Sequence, residues 1–413
     1  MRTIVHVAEY FDKFGGIRTH VTDVVEALTT CGYRNIIIIP SKNHCTEWDK
    51  AGSDILWAHM TGNGFGTDIS GVVSELLKLL QKQNVFEVVC HTAMGYKIGS
   101  FLAAGLRAAC VHVLHGGYAF FPEGGCTGCP EYNFDQPCSV CTEDRIQEAG
   151  TKFEQLYQKK VFLNTAERLI VVNKATKQHL VNNFNISADK ISDIRLWIDL
   201  PEENSVSALI KRKMEEVREG RFIILWAGTD MALKRADVCY KSFERIHKIF
   251  PLCELWIAGS SHKKHDENLR LVSEETRPFV RYLGVLDKNE MDQVYRKAHM
   301  LWQPSIKETV SYVILEAMAY GIPCIARAGL DNSDFLFEEE NILLFRDEKD
   351  IVTLSYALGS DMGLYKKIAE GGRKYVEANH RKDDCIKEYI DILEKEAFNL
   401  GVEMNAAEGG VER

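Results

Sequence analysis

The sequence alternates between short apolar, β-branched segments and segments with helical periodicity, and this alternation constrains the fold most strongly. In the first half we predict strands at Val5–Ala8, Ile36–Pro40, Val85–Cys90, Ala109–Leu114 and Leu169–Asn173. Helices are predicted between them, such as His20–Thr29 and Gly71–Gln83. Because strands separated by helices pair in parallel, the pattern predicts an α/β fold whose sheets are covered on both faces.

The alternation stops at about residue 199 and then starts again. Residues 199–220 are charged and hold one predicted helix but no strand. Five further strands follow, at Phe222–Gly228, Leu255–Gly259, Val280–Gly284, His299–Pro304 and Pro323–Arg327, with helices such as Asp237–Phe250 and Lys288–Lys297 between them. At about 100–200 residues per domain, we expect two doubly wound, Rossmann-like domains, residues 1–199 and 200–383, and a final helix at Asp384–Phe398.

Charge and hydropathy exclude some classes of protein. The formal net charge of -9 argues against a dedicated nucleic-acid-binding protein, because such proteins need a basic surface. The apolar run at the N-terminus is too short for a signal peptide, and no stretch of about 18 apolar residues is present. We therefore expect a cytoplasmic protein, and contact with the inner face of the membrane remains open.

Glycines and a histidine follow two of the predicted strands. Ligands of open α/β sheets bind at the carboxyl ends of strands. Gly15 and Gly16 precede a helix, whose N-terminal amides can bind a phosphate; a plain turn is the alternative. His115 ends a buried strand, where it could contact a transferred sugar or an acceptor; the alternative is a histidine satisfied inside the fold. We expect His112 to be structural.

Two adjacent cations, Lys234 and Arg235, follow the strand that ends near Gly228 and Thr229. Cations at this position could neutralise a departing diphosphate, where negative charge grows as a glycosidic bond breaks. A solvated Lys–Arg pair is the alternative interpretation, since such pairs are common on protein surfaces.

The segment 304–323 carries two glutamates in a defined local context. Ser311 is a plausible N-cap and Gly321 a helix stop, so Glu308 is predicted in a loop and Glu316 in the second turn of a helix. One carboxylate could face a sugar while the other binds a ribose diol. The amides of Thr309 and Val310 would then lie at the helix N-terminus, ready for a phosphate.

Four cysteines, Cys126, Cys129, Cys138 and Cys141, form two Cys-x2-Cys pairs in one loop after His115. Four thiolates at this spacing suit a structural, tetrahedral zinc site that would order the loop. Free thiols, disulfides and an iron–sulfur cluster remain as alternatives.

The segment from Glu308 to Glu316 resembles the Glu-x7-Glu signature of the family 4 retaining glycosyltransferases. Gly15 and Gly16 resemble that family's N-terminal glycine loop, His115 aligns with its histidine near the donor sugar, and Val280–Gly284 resembles the strand before its base-contacting loop. The cysteine loop is similar to that of some polysaccharide-assembly members.

The resemblance implies a GT-B fold, with the last helix crossing back onto the first domain. It implies a nucleotide-diphosphate sugar bound mainly by the C-terminal domain, and a glycan or lipid-linked acceptor bound mainly by the N-terminal one. Transfer of a hexose or N-acetylhexosamine with retention, without a catalytic metal, is then expected. The residues expected to contact the donor are then Gly15, Gly16, Gly228, Thr229, Lys234, Arg235, Thr309, Val310 and Glu316. The expected catalytic residues are His115, Lys234, Arg235 and Glu308.

Some residues depart from the family pattern. Thr229 stands where an arginine is frequent, and Arg235 stands where a glycine is frequent, so Arg235 could supply the missing guanidinium. Asp334 stands where an acidic residue often occurs, after a loop with fewer glycines than usual. Two other functions remain as alternatives: a sugar-nucleotide epimerase on the same fold, and a non-catalytic partner that binds sugar nucleotides. The sequence leaves open the base, the sugar, the linkage and the oligomeric state.

Overall fold

A computed structural model of the chain describes residues 2–9, 11, 15–49, 54–62, 67–115, 161–229, 234–306, 308, 310–329 and 335–408. The chain divides into two compact units. Unit 1 comprises Met1–Ile194 and Ile386–Arg413, and unit 2 comprises Arg195–Cys385. Both units are α/β.

Unit 1 is built on one eight-stranded sheet. Its strands are β1 (Thr3–Val7), β2 (Arg34–Ser41), β3 (Glu47–Trp48), β4 (Ile55–His59), β5 (Val85–Cys90), β6 (Ala109–Leu114), β7 (Arg168–Val171) and β8 (Ile191–Asp193). The spatial order is β3-β4-β2-β1-β5-β6-β7-β8. All neighbouring pairs are parallel except β3 with β4, which is antiparallel.

The helices in the first part of unit 1 include α1 (Gly16–Thr30), α2 (Ser70–Leu80), α3 (Ala93–Leu106) and α4 (Lys174–Phe184). The chain reverses its direction across the sheet between β1 and β5, which are neighbours in space. This is the topological switch point of unit 1, where the loops after two adjacent strands turn apart and leave a crevice.

Unit 2 is built on a six-stranded, wholly parallel sheet. Its strands are β9 (Ile223–Ala227), β10 (Glu254–Ala258), β11 (Val280–Gly284), β12 (Met300–Gln303), β13 (Cys324–Arg327) and β14 (Leu343–Phe345), in the order β11-β10-β9-β12-β13-β14. The switch point of unit 2 therefore lies between β9 and β12.

The helices of unit 2 are α5 (Glu203–Arg218), α6 (Ala236–Ile249), α7 (His262–Leu269), α8 (Lys288–Lys297), α9 (Tyr312–Ala319), α10 (Asp350–Ser360) and α11 (Met362–Asn379). The final helix, α12 (Lys382–Glu408), begins in unit 2, and its residues from Ile386 onward belong to unit 1. Among the described residues, none of the helices is long and apolar enough to cross a membrane.

The predicted doubly wound α/β fold is confirmed. Strands β5, β6 and β11 and helix α8 have the predicted bounds. The predictions missed β3, β4, β8 and β14, of which β3 holds only two residues and β8 and β14 hold three each. Three residues are too few to show a periodicity of two.

Candidate functional site

Glycines lie at the carboxyl ends of three neighbouring strands of unit 2. The amide of Gly228, after β9, donates to the Ala258 carbonyl at 3.1 Å, and the amide of Gly259, after β10, donates to Gly284 at 2.7 Å. Gly259 has a φ of 87°, and a Cβ there would lie 2.5 Å from the Gly228 carbonyl oxygen. Only glycine fits where these two backbones meet. Gly228 was a predicted donor residue; Gly259 was identified only as a strand end.

The loops on either side of the unit 2 switch point are joined by an ion pair. Lys234, after β9, donates from Nζ to Oε1 of Glu308, after β12, at 2.5 Å. The Lys234 side chain is 23% exposed and that of Glu308 only 7%, so the lysine is the more accessible partner of the pair. The structure thus brings together two of the predicted site residues.

Glu308 is held by a second donor, because Nε2 of Gln303 at the end of β12 donates to the same Oε1 at 2.9 Å. Oε1 of Gln303 and the hydroxyl of Ser305 are buried and have no hydrogen-bond partner within the described ranges. Buried polar atoms without partners are rare in folded proteins. Their position beside Glu308 indicates a place where a polar ligand or water binds. Neither residue was predicted.

Arg235 has different partners from Lys234. It is the N-cap of α6 in the left-handed conformation, with a φ of 49°. Its guanidinium donates from Nε to Asp237 at 3.0 Å and contacts Glu348 at 2.9 Å. The hydrogen bond to Asp237 raises the pKa of Arg235. Direct contact between Arg235 and a diphosphate would therefore require that these two pairs open.

The N-terminus of α9 follows the Glu308 loop. Ser311 occupies the predicted N-cap position, but its side chain makes no capping hydrogen bond, so the expected cap is absent. Its carbonyl accepts the first helical bond from Leu315 at 3.1 Å. A helix start without a side-chain cap leaves its first amides available for an anion. Val310 is half-buried beside it, and Thr309 lies outside the described residues.

Glu316 lies in the second turn of α9, as predicted, and is half-buried. The hydroxyl of Tyr295, on α8, donates to its Oε2 at 2.7 Å. Desolvation raises the pKa of the Glu316 carboxyl. Tyr295 had no sequence signal, because only folding places α8 beside α9.

Two glycines in unit 1 begin α1 after β1. Gly15 is the N-cap, with a φ of 156° and no side-chain cap, and Gly16 is the first helical residue. A Cβ at Gly15 would have no described atom within 4 Å, so the conformation and not crowding favours glycine here. Helix α1 begins four residues before the predicted start at His20 because the glycine turn itself begins the helix. Thr229, the remaining predicted donor residue, is exposed in unit 2.

His115 directly follows β6 and is half-buried. Its Nε2 lies 3.2 Å from Nδ1 of His91, which directly follows β5. Nε2 of His91 lies 3.2 Å from Nδ1 of His6 on β1, and Nε2 of His6 lies 3.1 Å from Oδ1 of Asn35 on β2. Burial lowers the pKa of His115 and of His6 to about 4, and it lowers that of His91 well below 6.5. Sequence reasoning found only His115 of this set.

Two groups of described side chains have metal-ligating chemistry. Ligand atoms of His20, His91 and His115 lie within 4.8 Å of one another, as do those of a buried group, Cys90, Cys110 and His112. Nε2 of His112 contacts Cys110 at 3.3 Å and Ser100 at 3.2 Å. The predicted zinc ligands Cys126, Cys129, Cys138 and Cys141 lie outside the described residues, as does Asp334.

Comparisons with known proteins give the class. The sequence profile of Glycosyltransferase Family 4 matches residues 14–202, and that of Glycosyl transferases group 1 matches residues 221–359. The crystal structure of Anabaena Alr3699/HepE in complex with UDP and glucose is similar to this chain. Its TM-score is 0.72 at 12% identity, and the match covers 95% of this chain and 99% of that one. The fold is therefore GT-B, the two-domain architecture of many glycosyltransferases.

Two curated relatives agree with this class. A protein of Acholeplasma laidlawii, alpha-monoglucosyldiacylglycerol synthase, is 20% identical over 402 residues, which are 96% of this chain and 98% of the relative. An uncharacterized glycosyltransferase of Methanocaldococcus jannaschii is 26% identical over 250 residues, which are 58% of this chain and 61% of the relative. Other relatives are matched over as little as 28% of their length. The profiles, which match residues 14–202 and 221–359, and the GT-B fold together support a glycosyltransferase.

Proposed function

We propose that the protein transfers a hexose or an N-acetylhexosamine, with retention, from a nucleotide-diphosphate sugar to a glycan or lipid-linked acceptor. The observation that carries the proposal is the Lys234–Glu308 pair at the switch point of unit 2. An open α/β sheet binds its ligand at this point. In this proposal unit 2, which corresponds to the predicted domain 200–383, binds the donor, and unit 1 binds the acceptor.

Lys234 supplies the positive charge for the donor diphosphate. Its ammonium is already desolvated in part and held beside Glu308, so it needs little reorganisation to meet an anion. The uncapped amides at the start of α9 add N–H donors and a partial positive charge. Together these groups stabilise the leaving diphosphate, and the proposal includes no catalytic metal for this reason.

The two glutamates have separate roles in the proposal. Glu308, held on one oxygen by Lys234 and Gln303, faces the donor sugar and accepts its hydroxyl protons in hydrogen bonds. Glu316 accepts hydrogen bonds from the ribose diol. Tyr295 occupies one of its oxygens and so orients the carboxylate. Binding the sugar and the ribose on opposite sides of the diphosphate positions the bond that breaks.

Arg235 and Thr229 mark the departure from the family pattern. We propose that Arg235 assists the diphosphate through its position beside Lys234, after its pairs with Asp237 and Glu348 loosen. Thr229 is exposed and offers only a neutral hydroxyl. Its contribution to donor binding is therefore expected to be smaller than that of either cation.

The remaining proposals concern the acceptor side. A zinc ion held by Cys126, Cys129, Cys138 and Cys141 would be structural and shape acceptor choice. The name of the Acholeplasma laidlawii relative, a glucosyldiacylglycerol synthase, supports a lipid-linked acceptor and contact with the membrane surface on the cytoplasmic side. No nucleic-acid partner is proposed.

A thermal-shift screen against UDP-, GDP-, ADP- and dTDP-sugars tests the donor proposal. A ligand at 100 times its Kd stabilises the native protein by about 2.7 kcal/mol. We expect selective stabilisation by one base, lost in Lys234→Ala and kept in Lys248→Ala, a lysine paired on the exposed face of α6.

Product analysis then separates the functions. Transfer to an acceptor with retained anomeric configuration supports the proposal. A free epimerised nucleotide sugar made without acceptor would favour the epimerase. Binding without turnover across a broad acceptor panel would favour the non-catalytic partner.

A further inference from the structure

We propose that His6, His91 and His115 form a proton-ordered chain that fixes the tautomer of His115 and presents its Nδ1 as a hydrogen-bond acceptor. The site at the edge of unit 1 would then accept a sugar hydroxyl and discriminate against a carboxylate. The tautomer stands on geometry alone, whereas the choice of a sugar as ligand rests on the proposed function.

The three rings are joined edge to edge. The ring centres of His6 and His91 are 5.5 Å apart with an angle of 22° between the planes. Those of His91 and His115 are 5.4 Å apart at 24°. Since the bonded nitrogens are 3.2 Å apart in both pairs, they lie near the line between the ring centres. Nearly coplanar rings in this arrangement make directed N–H···N hydrogen bonds rather than face-to-face stacks.

The direction of the chain is set by Asn35. Its Nδ2 donates to the carbonyls of Val25 and Tyr33, at 3.4 and 3.5 Å, and to Thr29 Oγ1 at 3.0 Å. Carbonyl oxygens only accept, so the amide nitrogen must point to them and Oδ1 must point to His6. His6 therefore carries its proton on Nε2 and leaves Nδ1 bare.

The same donor–acceptor argument applies next to His91 and then to His115. Because Nδ1 of His6 is bare, His91 must donate to it from Nε2, and a neutral His91 then has a bare Nδ1. His115 must in turn donate to His91 from Nε2. A neutral imidazole has one donor and one acceptor. Nδ1 of His115 is consequently an acceptor, and no described residue hydrogen-bonds to it.

Burial keeps the rings neutral. His6 and His91 are fully enclosed, and desolvation is the largest cause of the lowered pKa in all three. His20 lies edge-on to His115 with 4.6 Å between ring centres, and it too has a pKa well below 6.5. A charged ring would also place a second N–H against a neighbouring N–H.

The unprotonated Nδ1 of His115 favours a ligand that can donate a hydrogen bond. A hydroxyl donates to it, whereas an ionised carboxylate presents only further lone pairs. Sites built to bind a substrate hydroxyl reject analogues that lack it by factors up to about 10⁴–10⁵. His115 is half-buried, so we expect kcat/KM to fall about 100-fold when the hydroxyl that it contacts is replaced by carboxylate.

Metal binding at His20, His91 and His115 is the competing interpretation. Their ligand atoms lie within 4.8 Å of one another. Because Nε2 of His91 faces His6, a metal would have to bind His91 through the lone pair on Nδ1, and the proposed hydrogen-bond chain uses that lone pair to accept the proton of His115. The two states exclude each other, so one measurement separates them.

The experiment uses the full chain labelled with ¹⁵N-histidine and long-range ¹H–¹⁵N NMR at pH 7. We expect neutral His6, His91 and His115, each protonated at Nε2. Metal analysis should show no zinc bound to these histidines. A Cys126→Ser variant, which lacks one of the four predicted cysteine ligands, separates zinc in the cysteine loop from zinc on the histidines. An Nδ1-protonated form or an imidazolium at any of the three would overturn the chain, as would zinc coordinated by these nitrogens.

A variant tests the link to specificity. His6→Phe removes the acceptor for His91, so both tautomers of His91 and His115 should appear, and preference for hydroxyl over carboxylate should drop about tenfold. His44→Phe, on an exposed ring stacked on Trp57, is the control. Unchanged preference in a folded His6→Phe would overturn the specificity claim. If the wild-type protein shows the expected tautomers but transfers no sugar, the proposed function is overturned and the tautomer assignment is kept.

Discussion

The two switch points occupy equivalent places in two similar sheets, yet their side chains differ in kind. In unit 1 the imidazoles of His91 and His115 follow β5 and β6, and His91 contacts His6 on β1. In unit 2 an ion pair joins the loops after β9 and β12. The doubly wound topology therefore determines where a ligand binds, and a few side chains determine its chemistry. A charged diphosphate suits unit 2, and a neutral hydroxyl suits unit 1.

Lys234→Ala should break this comparison most severely. It removes the cation assigned to the leaving diphosphate and leaves the nearly buried Glu308 without its ion partner. Loss of one preorganised stabilising group typically costs about 10²–10³ in kcat. Steady-state kinetics should show that loss, whereas Lys248→Ala keeps full activity. A fall of less than threefold would place the diphosphate elsewhere.

Arg235→Ala should have a smaller effect on turnover, about tenfold. The guanidinium is shared with Asp237 and Glu348, so less of its charge is available to a ligand than that of Lys234. The same kinetic assay measures it, together with thermal unfolding to account for lost ion pairs. Wild-type kcat/KM in this variant would show that Arg235 does not replace the missing guanidinium.

Gly259→Ala should destabilise unit 2 by more than about 1 kcal/mol, because alanine is placed at a positive φ and its Cβ meets the Gly228 carbonyl. Gly220→Ala is the matched control in the same unit: its φ is 75°, with open space around the added carbon. Urea unfolding of both variants measures the difference. Equal losses would mean that close approach of the two loops is not what requires glycine.

Unit 1 should lose stability faster than unit 2 as the pH falls from 7 to 5. For a histidine whose pKa is lowered in the folded state, the unfolded protein binds more protons below pH 6.5. The contribution of this histidine to the free energy of unfolding is therefore fully present above pH 6.5 and is lost as the pH falls toward the folded pKa. Among its described residues unit 1 has four such histidines, the buried His6, His20 and His91 and the half-buried His115. In unit 2 burial lowers the pKa of His299 and His380 to about 4, and desolvation lowers that of His247 and His265 by smaller shifts.

Hydrogen exchange read separately in each unit measures this difference. The decrease of stability with falling pH in unit 1 should be smaller in His6→Phe and unchanged in His44→Phe. A pH slope as steep in unit 2 as in unit 1 would contradict the assignment of the excess to the histidine chain.

The sequence predicted the elements better than their contacts. Strand–helix alternation was enough to predict the class of fold and the bounds of β5, β6 and β11, whose residues are mostly apolar. The Lys234–Glu308 pair needed the spatial order, because only the neighbouring positions of β9 and β12 bring these residues together. His6 and His91 could not be connected with His115 for the same reason: periodicity does not reveal which strands are adjacent.

Two local expectations show the limits of pattern reasoning at the site. Ser311 has the residue type and position of an N-cap, but its hydroxyl makes no capping bond, which no propensity reveals. Lys234 and Arg235 are sequence neighbours with the same charge, yet their side chains have different partners, because Arg235 adopts a left-handed conformation. Backbone conformation at single residues is thus the level at which sequence patterns lose resolution.

A crystal structure with the nucleotide sugar that the thermal screen selects tests the central claim most directly. We predict the diphosphate within hydrogen-bond distance of Lys234 Nζ and of the first amides of α9, with the ribose on Glu316. A nucleotide bound away from the β9–β12 switch point, or a crevice there filled by packed apolar side chains, would contradict the account.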